Sequence, residues 1–301
     1  MCCLFAVILS PGAPGLRICF LPRVPFTHGD MDELLKHASK IARDAGALLR
    51  GYFERRVRVE YKGDVDLVTE ADRASEAMIV AELRKLFPDH GVVAEEGGGY
   101  AGSSGYRWYI DPLDGTTNFA HSFPIFAVSM GLEKDGEMVA GVIYDPTRDE
   151  LFAAAKGAGA SLNSKPILVS NIARLEEALV ATGFPSRKRH VNPNIHFYHQ
   201  MNMRTHGVRR PGAAAIDLAY VACGRLESFW EFHLHPWDIA AGKLLVAEAG
   251  GCVTEISGQP HRMDSPSVLA SNGLLHDQML AAFEEIFAEK YRAELPPLRR
   301  P

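Results

Sequence analysis

The chain has 301 residues, of which 47% are hydrophobic, and its formal net charge is -5. This composition can fill a substantial globular core, and it has neither the basic footprint of a nucleic-acid-binding protein nor an apolar run as long as a membrane span. Five cysteines without a CxxC pair indicate neither a disulfide framework nor a zinc site, and they favour a cytoplasmic protein. We therefore expect small-molecule partners, and neither nucleic acid nor a membrane.

A leader precedes the first predicted element. Residues 1–30 contain a short apolar run from Leu4 to Leu9 with no basic residue before it, and proline and glycine then recur without a helical or strand period. This pattern predicts a disordered leader or a start codon placed too early, with Met31 as the functional start.

Two amphipathic helices and a meander of strands are predicted for residues 31–170. Apolar residues at helical spacing predict helices over 32–54 and 72–87, the second of which ends at Pro88. Shorter apolar runs predict strands over 92–94, 108–110, 128–133, 138–144, 151–154 and 167–169. Asp135-Gly136, between two of these strands, is typical of a hairpin turn.

A soft boundary near Ser170 separates this half from residues 171–291, where helix and strand alternate. A terminal helix is predicted near 274–291, and residues 292–301 form a tail. The pattern favours layered sheets and helices of the α/β class over a helix bundle, and no internal repeat is visible.

The stretch WYIDPLDGTTNFAH, residues 108–121, places two aspartates three apart at the end of an apolar strand. Alone, the D-x-x-D-G pattern from Asp111 to Gly115 is often a polar turn. Layered α/β proteins bind ligands at the carboxyl ends of strands, so the position of this motif favours a functional site. Pro112 restricts the backbone in a way that would let both carboxylates and a carbonyl converge.

Further acidic residues lie at the ends of predicted elements. Asp72 also fits a helix capping box with Thr69, and Asp238 also fits an N-cap. Glu95 and Glu96 follow a predicted strand. Element ends are the usual location of functional residues in such architectures, so we hypothesise that these acids converge with the two aspartates of the D-x-x-D-G motif.

Carboxylates gathered in this way would need a cation, because two of them about 5 Å apart repel by roughly 3 kcal/mol at an effective dielectric constant of about 20. All the candidate ligands are oxygens, so the expected ion is Mg²⁺, with Mn²⁺ as a substitute. Gly115-Thr116-Thr117 adds backbone N–H groups suited to phosphate and a hydroxyl that can orient a water. These features indicate metal-assisted phosphate hydrolysis, and the lack of a GxxxxGK[ST] loop and a GxSxG elbow argues against a P-loop nucleotidase or a serine hydrolase.

The combined motifs resemble those of the inositol monophosphatase family, which are magnesium-dependent and lithium-sensitive phosphomonoesterases. The resemblance rests on Glu95-Glu96, on the run from Trp108 to Phe119 and on the run from Trp237 to Gly242, and it spans roughly residues 32–287. It implies an α/β fold, a five-layer α-β-α-β-α sandwich shared with fructose-1,6-bisphosphatase, and usually a homodimer.

The resemblance also implies a role for each matching residue. The metal ligands would be the carboxylates of Glu95, Asp111, Asp114 and Asp238 and the carbonyl of Leu113. The attacking water would be activated by Asp72 and Thr116, with Glu95 as a further catalytic residue. The substrate would be bound at its phosphate by Gly115 and Thr117, along its ring by Gly212 and Ala214, and at its hydroxyls by Glu231.

The implied activity is the hydrolysis of inositol 1-phosphate, a small-molecule phosphate ester, to inositol and phosphate. Ala213 and His233 stand where animal members commonly carry threonine and glycine, so a differently shaped polyol pocket is also open. The alternatives are another substrate, namely fructose 1,6-bisphosphate, a 3',5'-bisphosphate nucleotide or histidinol phosphate, or a protein that mainly binds a regulatory partner such as the transcription machinery. The complete set of acids favours catalysis, since a binding role gives no reason to keep all of them.

Overall fold

The computed structural model describes residues 28–55, 59–61, 67–184 and 192–295. The expected leader lies outside these residues except for its last three positions, which begin the first helix. Of the expected tail, residues 292–295 are described. Every helix in this part of the chain is too short or too polar to cross a bilayer.

The described residues form seven α-helices and fourteen strands. The helices are α1 (His28–Arg55), α2 (Glu70–Leu86), α3 (Thr116–Ala120), α4 (Asn194–Asn202), α5 (Ala214–Ala222), α6 (Pro236–Glu248) and α7 (His276–Phe287). The strands are β1 (Val59–Tyr61), β2 (Leu67–Thr69), β3 (Gly91–Ala94), β4 (Tyr106–Asp114), β5 (Ala127–Lys134), β6 (Glu137–Asp145), β7 (Glu150–Ala155), β8 (Gly159–Leu162), β9 (Lys165–Ile167), β10 (Leu179–Thr182), β11 (Gly207–Arg209), β12 (Ser228–Phe232), β13 (Cys252–Thr254) and β14 (Ser267–Ser271).

The larger sheet has seven strands in the order β3-β4-β5-β6-β7-β8-β9. Neighbouring strands are antiparallel except for β3 and β4, which are parallel. Successive side chains of β4 reach opposite faces, so Trp108 and Ile110 pack in the core with α1 and α2, and Tyr109 packs in the core with α5 and α6. The predicted hairpin between β5 and β6 is confirmed, because Asp135 and Gly136 both have the positive φ, 50° and 88°, that a type I′ turn requires.

The smaller sheet has five strands in the order β11-β10-β12-β14-β13. Helices α5 and α6 lie between the two sheets and share one apolar core with both. Helices α4 and α7 cover the outer face of the smaller sheet, where Phe197, Trp230 and Phe283 pack together. The layers are therefore α1 with α2, the larger sheet, α5 with α6, the smaller sheet, and α4 with α7, which confirms the predicted five-layer α-β-α-β-α sandwich.

Each edge of the larger sheet has a distinct local structure. Beyond β3, the glycine-rich segment that follows Glu95 turns back along the strand, and Val92 and Tyr100 exchange backbone hydrogen bonds of 2.8 and 2.9 Å. At the other edge, β9 has only three residues and includes the exposed Lys165 and Pro166.

Candidate active site

Strand β4 ends in the two aspartates of the D-x-x-D-G motif, and both are buried. Its pairing with β5 shifts between Asp111 and Asp114, which marks a bulge in the strand. Asp111 Oδ1 accepts a hydrogen bond from the Leu113 N–H at 3.0 Å. Asp114 accepts hydrogen bonds from the N–H groups of Ala214 (3.2 Å) and Ala215 (2.8 Å) at the start of α5, so the end of β4 is tied to the layer between the sheets.

Asp238 lies in the first turn of α6. The N-cap of this helix is His235 rather than Asp238, but Asp238 completes the capping box because its Oδ2 accepts the His235 N–H at 2.7 Å. The carboxyl groups of Asp238 and Asp111 also lie within hydrogen-bonding reach of each other. The start of α6 therefore meets the end of β4.

Burial raises the pKa of three carboxyls at this junction, and neighbouring carboxyl charges raise the pKa of two of them further. Burial raises the pKa of Asp111 well above its ordinary value, and three nearby charges raise it further. These charges are carried by Glu95, Asp114 and Asp238. Burial also raises the pKa of Asp114 to about 7, with the charge of Asp238 as the second cause, and it raises the pKa of Asp238 to about 6. These four carboxyls are named here the acidic group, and three of them lie close enough to the fourth, Asp111, to oppose its ionisation.

The donor atoms of the acidic group fit a hard divalent cation. Every candidate ligand is an oxygen, from four carboxyls and the Leu113 carbonyl, and a cation among them would offset their mutual repulsion. Within the described residues, no group of three or more acidic, histidine or cysteine side chains is arranged so that it could hold a metal ion as it stands. The fit to a cation therefore rests on the chemistry of these oxygen donors and on the charges that they place around Asp111.

Asp72 and Thr116 come together next to this junction. Thr116 Oγ1 lies 3.1 Å from Asp72 Oδ1 and 3.1 Å from the Leu113 carbonyl oxygen. Asp72 is fully buried in the first turn of α2, and Thr116 is the first residue of α3. Thr117, the next residue of α3, is exposed.

Two residues of α2 that the sequence analysis did not single out hold the surrounding backbone. Glu76 is buried, and its carboxylate accepts hydrogen bonds of 2.7 Å from the N–H groups of Glu96 and Gly98, which follow Glu95 in the chain. The Ser75 hydroxyl donates a hydrogen bond of 2.9 Å to the carbonyl of the proline in the D-x-x-D-G motif. Their helical spacing of three and four residues from the buried aspartate of α2 is the pattern that could have revealed them.

The predicted phosphate loop and the predicted ring-binding segment are joined by a side chain that the sequence analysis missed. Gly115 has a φ of 93°, and a Cβ at this position would lie 2.8 Å from the Ile125 carbonyl oxygen, so the turn requires glycine. The Asn118 side chain donates hydrogen bonds to the carbonyls of Ile125 (2.8 Å) and Pro211 (2.9 Å). Gly212 follows with a φ of 83°.

Glu231 of β12 and Asp217 of α5 are buried carboxyls near the acidic group. Burial raises the pKa of Glu231 to about 8, and the charges of Asp238 and Asp114 add to this effect. Burial raises the pKa of Asp217 well above its ordinary value, with the charge of Glu231 as the next cause. Among the described residues, none forms a hydrogen bond with Asp217 Oδ1. Asp217 was not predicted, although it lies one helical turn after Ala214.

Sequence comparison relates this chain to proteins with two different names. The model of the inositol monophosphatase family matches residues 30–288. The chain is 45% identical over 250 residues to the Nus factor SuhB of Pseudomonas aeruginosa, a match that covers 80% of this chain and 92% of that protein. It is 42% identical over 260 residues to an inositol-1-monophosphatase of Synechocystis sp., with 85% and 91% covered.

Solved structures show the same relationship. The inositol monophosphatase of Anabaena (Nostoc) sp. PCC 7120 superposes with a TM-score of 0.78 at 42% identity, covering 85% of this chain and 97% of that one. The extragenic suppressor protein suhB of Bartonella henselae gives a TM-score of 0.81 at 40% identity, covering 84% and 99%. Since the family model also matches nearly all the described residues, this chain belongs to the inositol monophosphatase family.

Proposed function

We propose that this protein is a magnesium-dependent phosphatase that hydrolyses inositol 1-phosphate to inositol and phosphate. The observation that carries the proposal is the convergence of the acidic group next to the contact between Asp72 and Thr116. The ends of β3 and β4 in the larger sheet and the start of α6 contribute the four carboxyls. Family membership supports phosphatase activity, and the substrate is the finer part of the proposal.

Magnesium would be held by the carboxylates of the acidic group and by the Leu113 carbonyl, and manganese could replace it. When bound, the ion supplies positive charge that stabilises phosphate oxygens and lowers the pKa of a nearby water. The Asp72 carboxylate, in contact with the Thr116 hydroxyl, accepts the proton of the attacking water. The water oxygen forms the new bond to phosphorus, the ester P–O bond breaks, and the leaving alkoxide takes a proton from solvent.

The remaining predicted residues bind the substrate in this proposal. The backbone at Gly115 and Thr117 binds the phosphate, and Gly212 and Ala214 line the ring. The Glu231 carboxylate accepts hydrogen bonds from the ring hydroxyls. It is buried and accepts no hydrogen bond from the described residues, so the substrate would supply the donors that it lacks. The resemblance to the family further supports a cytoplasmic homodimer, whose mass light scattering would measure.

The test is inorganic phosphate release by the purified full chain, with and without magnesium, from inositol 1-phosphate, fructose 1,6-bisphosphate, a 3',5'-bisphosphate nucleotide and histidinol phosphate. We expect magnesium-dependent release with a preference for inositol 1-phosphate. Preference for another ester would keep the chemistry and replace the substrate. No release from any of them would contradict the proposal and favour a regulatory binding role.

Neighbouring glutamates provide a matched pair of variants for this assay. Glu95→Gln removes one proposed ligand, whereas Glu96→Gln makes the same change one residue further on, at a position to which no ligand role is assigned and whose backbone N–H donates to Glu76. We expect the first variant to lose most of its magnesium-dependent activity and the second to retain it. Equal activity of the two variants would contradict the assigned ligand set.

A further inference from the structure

Gly183 lies directly beside Glu231 in the smaller sheet. β10 and β12 are parallel, with Ala181 opposite Phe229 and Thr182 opposite Trp230. Gly183 follows Thr182, and Glu231 follows Trp230. The two residues are therefore the next opposing pair, and both positions face the same side of the sheet. A Cβ on Gly183 would overlap the Glu231 carboxylate, whose Oε1 would lie 2.5 Å away.

The backbone of Gly183 is fixed by a buried hydrogen-bond network. Asn194 is fully buried, and its Nδ2 donates hydrogen bonds to the Gly183 carbonyl (2.6 Å) and to Thr182 Oγ1 (2.9 Å). Its Oδ1 accepts the Trp230 Nε1–H at 2.7 Å, and Thr182 Oγ1 donates to the Trp230 carbonyl at 2.7 Å. Because every member of this network is buried and paired, moving the Gly183 backbone would break several hydrogen bonds.

The Glu231 carboxylate, in contrast, accepts no hydrogen bond from the described residues. Its charged neighbours are the carboxyls of Asp217, Asp114 and Asp238 and the guanidinium of Arg210. A methyl group on Gly183 would therefore displace the end of the glutamate side chain rather than the strand. The displacement would lower the stability of the fold only slightly, since rotation of a side chain relieves the overlap.

We infer that Gly183 is a specificity-determining residue, because its missing side chain leaves the space in which the Glu231 carboxylate lies and so sets the distance from that carboxylate to the hydroxyls of a polyol phosphate. The inference rests on the proposed function for the substrate class. Gly183 itself acts through Glu231 and is a positioning residue.

The experiment compares Gly183→Ala with Gly207→Ala in the full chain. Gly207 lies in β11 of the same sheet, where a Cβ would meet only the end of Arg209 at 3.1 Å and Leu179 at 3.9 Å among its near neighbours. The readout is the ratio of kcat/KM for inositol 1-phosphate to kcat/KM for phenyl phosphate, which lacks ring hydroxyls. We expect Gly183→Ala to lower this ratio about tenfold, equivalent to about 1.4 kcal/mol, through a higher KM for inositol 1-phosphate. Gly207→Ala should keep the wild-type ratio.

A double-mutant cycle tests whether the effect passes through the glutamate. In a Glu231→Gln background the added Gly183→Ala change is expected to produce a smaller fall in the ratio, since the amide has already lost the carboxylate's preference for hydroxyl donors. An undiminished fall in both backgrounds, or no fall in either, would overturn the inference.

A crystal structure of the Gly183→Ala variant separates this inference from the proposed function. We expect the Glu231 carboxylate to be displaced from its wild-type position, and an unmoved carboxylate would overturn the inference whatever the enzyme hydrolyses. If the wild-type protein hydrolyses neither ester, the proposed function fails, and the position of Glu231 in the variant still decides whether Gly183 places it.

Discussion

The Thr116 hydroxyl has one proton and two acceptors at the same distance, Asp72 Oδ1 and the Leu113 carbonyl oxygen, both at 3.1 Å. When the hydroxyl donates to the carboxylate, Asp72 and Thr116 are joined by a hydrogen bond. When it donates to the carbonyl, Asp72 Oδ1 no longer receives the Thr116 proton and can accept a hydrogen bond from a water instead. The pair can therefore accept a proton without any movement of the backbone.

We predict that Asp72→Asn lowers kcat by about 10²- to 10⁴-fold with little change in KM, as expected for loss of a general base. Because the two residues act together, adding Thr116→Ala to this variant should cost much less than Thr116→Ala costs the wild type. Steady-state kinetics with inositol 1-phosphate measures both effects. Glu70→Gln, an exposed acid in the first turn of the same helix, is the control. A full additional loss in the double variant would show that the residues act separately.

His261 is a buried histidine away from the proposed chemistry, and neither ring nitrogen has a hydrogen-bond partner among the described residues. Burial lowers the pKa of its ring from 6.5 to about 4, and the charge of Lys243 lowers it further. Below pH 6.5 the unfolded chain therefore binds a proton that the folded protein does not. The resulting stability is complete above pH 6.5 and is lost as the pH falls toward 4.

We predict that His261 alone lowers the free energy of unfolding by roughly 2 kcal/mol between pH 6.5 and about pH 5. His261→Leu should remove this part of the pH dependence, whereas His121→Leu, at an exposed position, should leave it in place. Urea unfolding of the three proteins at both pH values measures the difference. If the free energy of unfolding of His261→Leu changes with pH as much as that of the wild type, groups other than His261 cause the pH dependence.

Residues whose function depends on their own chemistry were the ones that the sequence revealed. The carboxylates at element ends could be singled out because strand and helix ends are readable from periodicity. Asn118 and Gly183 could not be singled out, since each acts on a part of the chain that is remote in sequence. Asn118 bonds to the Pro211 carbonyl, 93 residues away. Their roles follow only from which strands and helices are neighbours.

At the level of elements, α6 packs unusually close to the larger sheet. A Cβ on Gly131 of β5 would lie 2.6 Å from Ala240 Cβ and 2.8 Å from the Ala241 nitrogen. A Cβ on Gly141 of β6 would lie 2.8 Å from the Ala241 carbonyl oxygen. Glycine on these two strands is what allows the helix that carries Asp238 to approach the strand that carries Asp111.

We predict that Gly131→Ala lowers the free energy of unfolding by about 1 to 3 kcal/mol, because the new methyl group meets helix backbone that cannot rotate away. The matched change Gly51→Ala lies in α1, where nothing is within 4 Å of the new Cβ. It should raise the free energy of unfolding by roughly 0.5 to 1 kcal/mol, since alanine favours a helix more than glycine does. Urea denaturation measures the free energy of unfolding of each variant and of the wild type. Equal values for Gly131→Ala and the wild type would show that α6 can move away from the sheet without loss of stability.

Element boundaries were harder to predict than element types. The predicted strand 108–110 is the centre of β4, which runs from Tyr106 to Asp114. The strand continues through Pro112 because a bulge interrupts its pairing there, while aspartate and proline in the sequence are typical of a turn. Helix α1 begins at His28, before the expected start at 32, so its first turn includes the last three residues of the expected leader.

At the level of the whole molecule, the acidic group joins parts of the chain that lie far apart in sequence. Asp111 and Asp114 belong to the predicted half 31–170, and Asp238 belongs to the predicted half 171–291. A cation held by all three would therefore link the larger sheet to the helices between the sheets. Alternating periods predicted layered sheets and helices, and the family resemblance implied the five-layer order, whereas this connection required knowing how the layers stack.

We predict that magnesium at roughly 100 times its Kd raises the free energy of unfolding by about 2.7 kcal/mol, since only the folded protein gathers the ligands. Asp238→Asn should lose most of this gain, and Asp264→Asn, at an exposed position, should keep it. Urea unfolding in chelator and in magnesium, at matched ionic strength, measures the gain. The same stabilisation in all three proteins would place the ion elsewhere.

The two edges of the larger sheet also bear on how the protein behaves at high concentration. An open strand edge offers unpaired N–H and C=O groups to which a second chain can add, and aggregates grow in this way. At one edge the Val92 backbone is already bonded to Tyr100, and at the other the last strand is short and contains Lys165 and Pro166. A proline cannot donate to an added strand, and a lysine charge resists stacking of identical copies. The larger sheet is thus protected at both ends against extension into a fibril, even though its central strands are apolar and long.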